Sequence, residues 1–119
     1  MTSHGLPVSL AYRAAIDTHA GRPQQALDRL APFVPYELGL NWGLIPLHER
    51  ALAHLKAGEW QQARDAYQKM LDHPGVFSGQ KLLPLAQIGL ARALAAGGQR
   101  DLSRAAYDEF LRLWEGADA

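Results

Sequence analysis

Residues 47–74 read LHERALAHLKAGEWQQARDAYQKMLDHP, and this stretch decides the fold. Leu47, Ala51 and Leu55 recur at helical spacing, which predicts a helix with one apolar stripe. Gly58 stops that helix, because glycine enters the left-handed C′ conformation with no Cβ to clash. Ala63, Tyr67, Met70 and Leu71 resume the spacing and predict a second helix, which Pro74 closes. Two amphipathic helices joined by a tight glycine turn make a helical hairpin.

The same punctuation occurs three times. Gly21, Gly58 and Gly98 each separate two apolar helices, 37 and 40 residues apart. Seven residues before each lies Ala14, Ala51 or Ala91, and five after lies Ala26, Ala63 or Ser103. These small residues let the helices of a hairpin approach closely, so Ala51 and Ala63 are expected to face each other. Nine residues after each glycine lies Leu30, Tyr67 or Tyr107, large enough to fill the space between neighbouring hairpins. The reading is an all-α fold of six helices in three repeats, at about 7–35, 44–74 and 81–115, in a single domain spanning 1–119.

Outward from this frame, residues 1–6 are polar and expected to fray. Pro7 suits the first turn of helix one, whose narrow stripe is Leu10, Ala14, Ala15 and Ile16. Pro23 starts the next helix; Ala26, Leu27 and Leu30 are its stripe, and Pro32 and Pro35 break the chain after it. The connector YELGLNWG carries Leu38, Leu40 and Trp42, too apolar for a free linker and expected to pack back. Helix three runs from Pro46 to Ala57 and helix four from Trp60 to Asp72, where Asp65 and Lys69 sit at the i, i+4 spacing of an ion pair. After the connector HPGVFSG, helix five covers 81–96 with Pro84 near its start, and helix six covers 101–114. Asp101 lies at the positive end of helix six, where a carboxylate is favoured.

Composition excludes several function classes. Twelve basic and twelve acidic residues cancel, which argues against a nucleic-acid or anionic-membrane partner. With no cysteine there is no disulfide, thiolate metal site or cysteine nucleophile. Residues 1–7 lack the pattern of a secretory signal, and no apolar run nears the roughly 20 residues of a spanning helix. Ser3, Ser9, Ser78 and Ser103 lack a nucleophile elbow, and no Lys-Ser/Thr follows Gly97-Gly98 to make a phosphate loop. His48 and His54 are six apart, about 240° around a helix, so they do not form the i, i+4 pair of a zinc protease. No enzyme activity, metal or cofactor is expected.

The small–glycine–small–large pattern, with Ala63 and Tyr67 as its A-x-x-x-aromatic element, resembles the tetratricopeptide repeat across nearly the whole chain. Its period exceeds the family's about 34 residues, and the excess falls in the two connectors. The chain departs from the family at Arg13 and Arg50, where leucine is usual, and at Asp17 and His54, where tyrosine is usual. The runs PYELG at 35–39 and AAGGQRDLSRAAYDEFLRLW at 95–114, with the trailing Ala117-Asp118-Ala119, are similar to the C-terminal repeat region of bacterial serine/threonine kinases and winged-helix regulators. The resemblance implies a right-handed α-solenoid acting as a non-catalytic scaffold for a protein or peptide, a fragment of a larger signalling protein. It further implies a cytoplasmic location, or the extracytoplasmic part of a membrane-anchored kinase. The alternatives are an oligomerisation module or a ligand-sensing regulatory domain.

In that family the first helix of each pair lines a concave groove. The matching positions are Tyr12, Ala15 and His19; His48, Glu49, Leu52 and Lys56; and Ile88, Gly89 and Arg92. The Lys/Asn pattern that clamps a peptide carboxylate in some members is missing. Trp42, Trp60 and Trp114 read as core or connector anchors, with Trp60 packing across hairpins, and Phe77 as a loop contact. Helix six carries Ala106, Tyr107, Phe110, Leu111, Leu113 and Trp114, more apolar surface than one neighbour covers. A homodimer through this helix, with Phe110 or Trp114 at the contact, is therefore expected.

Overall fold

The computed structural model describes residues 6–38, 45–73 and 82–118. Among these, α1 is Leu6–His19, α2 Pro23–Leu30, α3 Ile45–Lys56, α4 Trp60–Asp72, α5 Leu82–Ala96 and α6 Arg100–Asp118. A 3-10 turn, Ala31–Tyr36, follows α2, and there is no strand among the described residues. The chain is all-helical. Among the described residues no helix is long and apolar enough to cross a membrane. The expectations placed on residues 1–5, Leu40, Trp42 and Phe77 lie outside the described residues.

Among the described residues, Gly21, Gly58 and Gly98 are the positive-φ residues, at 83°, 79° and 74°. Each closes its helix in the same way. The amide one residue past the glycine donates five residues back: Arg22 to the Asp17 carbonyl at 2.7 Å, Glu59 to His54 at 2.9 Å, and Gln99 to Leu94 at 2.9 Å. The glycine amide donates to the carbonyl three residues back, so these are Schellman closures. The second helix then starts at once, at Pro23, Trp60 and Arg100.

The three turns bring α1 onto α2, α3 onto α4 and α5 onto α6. The small positions meet inside these hairpins. Ala14, Ala26, Ala51, Ala63 and Ala91 are fully buried. Ser103 is also buried, and its hydroxyl donates to the Ala91 carbonyl at 2.8 Å, so the backbone of α5 lies one hydroxyl away from α6. Hairpins join by a second set of contacts: α3 touches α1 and α2, and α5 touches α3 and α4. The larger core cluster holds Leu47, Tyr67, Met70, Leu90 and Leu94 with alanines from α3 to α6, and Leu38, Leu55, Trp60 and Leu71 pack against it. Burying one such leucine contributes about 1.5–3 kcal/mol. Leu30 and Ala53 join α2 to α3 in the smaller cluster.

Two glycines without special φ serve close approach instead. A Cβ on Gly89 would fall inside the Tyr67 ring, and one on Gly97 inside the Trp60 ring. Tyr67 and Trp60 are thus the side chains of α4 on which α5 is seated.

Four expectations are corrected. Ile16 is 63% exposed, so the stripe of α1 is narrower than its sequence suggests. Lys69 does not pair with Asp65; its Nζ lies 2.8 Å from Glu37 Oε1, while Asp65 accepts from Arg64 at 3.0 Å. A carboxylate with almost no exposure attracts the lysine more strongly than a solvated neighbour one helical turn away. α6 runs four residues past Trp114. Finally, α2 passes directly into the 3-10 turn, where Pro32 takes an early position and needs no amide hydrogen.

Candidate functional site

In each odd helix one stripe of residues shares a face. On α1 this is Tyr12, Ala15 and His19; on α3 it is Ile45, Glu49, Leu52 and Lys56; on α5 it is Leu85, Gly89 and Arg92. Contacts of α1 with α3 and of α3 with α5 set these helices side by side. Tyr12, His19, Lys56 and Arg92 are exposed, and Ala15, His48, Glu49, Leu52 and Ile88 are half-buried.

The structure joins part of this set into one centre. His48 meets Tyr67 edge-on, with ring centroids 6.2 Å apart. His48 Nδ1 is 3.9 Å from Glu49 Oε1, too long for a hydrogen bond. Burial pushes the Tyr67 hydroxyl up to about 12, the Arg92 charge pulling it down and the Glu49 charge pushing it further up. Glu49 and Arg92 therefore flank the phenol with opposite charges. Glu49 Oε2 is buried and has no hydrogen-bond partner. A buried oxygen left in this state costs about 1–3 kcal/mol, more when charged, and a donor arriving from outside relieves it. Among the described residues, no ion pair or hydrogen bond draws Tyr12, His19 or Lys56 into this centre.

Sequence reasoning missed three features. Tyr67 was assigned only to the space between hairpins, yet it forms the wall between His48 and Gly89. Ile45 and Leu85 were not placed on the face, although they are 45% and 47% exposed. Both lie thirteen residues before their glycine turn, so the repeat register already pairs them.

The third missed feature is a buried ion cluster. Glu37, just after the 3-10 turn, has a side chain 1% exposed. Arg50 grips it with two bonds, Nε to Oε2 at 2.6 Å and Nη2 to Oε1 at 3.0 Å, and Lys69 adds a third at 2.8 Å. The cluster ties the connector to α3 and α4 and explains an arginine at position 50. His54 lies beside it, with Nδ1 2.9 Å from Glu59 Oε1 and Nε2 3.5 Å from Arg50 Nη1. A ring protonated at Nδ1 satisfies both contacts. His48 and His54 thus serve different partners, and among the described residues no three histidine, aspartate or glutamate side chains converge as a metal site.

Hairpin one carries the equivalent pairing with the acidic partner on the other side of the turn. Asp17 stands where His54 stands and pairs with Arg22 at 3.4 Å, where His54 pairs with Glu59; Arg29 adds a bond at 2.6 Å. The Arg29 hydrogen bond holds the Asp17 carboxyl below its ordinary range, against the opposing effect of desolvation; the charges of Arg29 and Arg22 lower it too. These groups are engaged with one another within the structure. No protein-family model, curated protein or solved structure matches the chain.

Proposed function

We propose that the chain is a tetratricopeptide-like interaction module, a right-handed solenoid of three hairpins. Its odd helices form a concave groove for an extended or helical peptide. Two facts support the solenoid. Each hairpin closes at a glycine of nearly the same φ, and each later first helix touches both helices of the preceding hairpin. The outline, 46 × 31 × 22 Å, is correspondingly elongated.

The observation that carries the binding role is the composition of the odd-helix face. Ile45 and Leu85 offer exposed apolar surface at one register, beside an orphaned Glu49 oxygen and an exposed Arg92. Apolar anchors with a few directed polar groups bind peptide side chains and orient the backbone. No nucleophile–base pair accompanies them, so the role is binding without catalysis. A scaffold within a larger signalling protein, in the cytoplasm, fits this reading.

The test is selection from a random twelve-residue peptide library. The best binder is then measured against Tyr12→Ala, Leu85→Glu and Arg92→Glu. Each change is expected to weaken binding at least about fivefold, as for side chains near the centre of an interface. Failure to enrich any peptide, or a binder indifferent to all three changes, would refute the groove.

A second reading is self-association through α6. Trp114 and Leu111 are each 54% exposed, and Trp114 stacks on Phe110 with centroids 6.1 Å apart. Sedimentation at micromolar concentration should show a dimer that Trp114→Glu dissociates. A wild type that stays monomeric throughout rejects this reading.

A further inference from the structure

The second and third hairpins superpose in sequence with a constant offset of forty residues, from Gly58 to Gly98. The side chains that seat α5 can therefore be followed into α6. Tyr67 and Trp60 seat α5, and Leu55, Ala63 and Leu71 belong to the same core; the counterparts of Leu55, Trp60, Ala63, Tyr67 and Leu71 are Ala95, Arg100, Ser103, Tyr107 and Leu111. Arg64, whose guanidinium lies 5.3 Å from the Trp60 ring centre, corresponds to Arg104. Four of these counterparts, Ala95, Arg100, Ser103 and Tyr107, line an open depression of about 410 Å³ together with Arg104. Tyr67 is 2% exposed beneath α5, whereas Tyr107 is 36% exposed.

We infer that this depression is a helix seat, and that its occupant is an amphipathic helix of a partner with a defined pattern. Over Tyr107 that helix carries glycine, because Tyr67 leaves Gly89 no room for a Cβ. About eight residues later α5 places Gly97 against the Trp60 ring. In α6 that ring is replaced by Arg100, with Arg104 one turn on, and neither forms an ion pair among the described residues. The space freed by the indole, and two unpaired guanidinium groups, call for an acidic side chain there. The flanking Asp101 and Asp108 lie to one side of this stripe and would repel a misregistered acidic helix. A second copy's own α1 does not match. In the register of α5 it would set Tyr12, not a small residue, over Tyr107.

The inference rests on the repeat equivalence used above, but not on the groove, so the two can fail separately. The probe is a synthetic helix carrying Ala86, Gly89, Leu90 and Ala93 at their native spacing. It has glutamate in place of Gly97 and glutamines at exposed positions. It is titrated into the full 119-residue chain while backbone amide shifts are followed. The expected shifts centre on Ala95, Ser103, Tyr107 and Leu111. Tyr107→Ala should weaken binding at least about fivefold, the scale of one central contact. Glutamine for the glutamate should weaken it roughly two- to fivefold at low salt, the range of exposed ion pairs, and about 1 M salt should remove that difference. Arg100→Glu with Arg104→Glu should reverse the preference toward a lysine-bearing probe, a readout that loss of folding cannot imitate. Shifts confined to Tyr12, His48 and Arg92 would overturn the seat and assign the probe to the groove. No shifts at millimolar probe, or α6 resonances that move with protein concentration and ignore the probe, would overturn it too. The last result would mean that a second copy fills the seat.

Discussion

Gly89→Ala separates helix propensity from packing, because the two predict opposite signs. In an exposed helix interior, alanine in place of glycine is stabilising by about 1 kcal/mol. Gly89 is helical, in the middle of α5, and its φ is not positive. On propensity alone the variant should melt higher. The structure puts the new methyl within the Tyr67 ring, against Cε1, Cζ and Cδ1. That ring is 2% exposed and held between His48 and the α5 backbone, so it cannot swing into solvent. Overpacking of this kind costs about 1–3 kcal/mol, and more where backbones must separate. Because the α5 backbone itself would have to move, the upper part of that range applies, and set against the propensity gain the net effect is a loss of roughly 1–2 kcal/mol. For a chain of this length that corresponds to a fall in melting temperature of about 4–8 °C. Circular dichroism melts of wild type, Gly89→Ala, Tyr67→Leu and the double variant form a cycle. The smaller leucine should accommodate the methyl, giving a favourable coupling of about 1 kcal/mol. A Gly89→Ala protein that melts higher than wild type would refute the seating of α5 on Tyr67, and with it the template for the seat on α6.

Two further outcomes test the polar network. Glu37→Gln keeps the shape but leaves Arg50 and Lys69 facing a neutral amide in a nearly dry site, so urea denaturation should show a loss of about 1–3 kcal/mol; an unchanged midpoint would mean that the cluster contributes nothing. The Asp17 carboxyl is held below its ordinary value of 3.8, so its contribution to stability is complete above that pH and is lost as pH falls through the lower folded value. The gap in urea midpoint between wild type and Asp17→Asn should therefore be constant near neutrality and narrow as pH falls below about 3.8; a gap that does not narrow at all below that pH would exclude ionisation as its source.

Helix boundaries were legible to within a residue or two for five of the six helices because glycine and proline act locally. A left-handed turn needs no tertiary partner to be recognised, and Gly21, Gly58 and Gly98 each adopt it. The small positions were legible for a related reason, since their phase relative to the turn fixes the face they share. Ion pairing was not. The rule that pairs Asp65 with Lys69 weighs one helix in isolation, whereas Glu37 reaches Lys69 across 32 residues and Arg50 across 13. Nothing in local spacing reveals that Glu37 is the least hydrated carboxylate within reach. The candidate site lies between these cases. Its odd-helix stripes follow from phase, but its centre depends on Tyr67, which enters from an even helix through the gap above Gly89. One side chain therefore both seats α5 and feels the charges of Glu49 and Arg92. Packing between hairpins and electrostatics on the odd-helix face are coupled at Tyr67, so a substitution there cannot alter stability without altering that face.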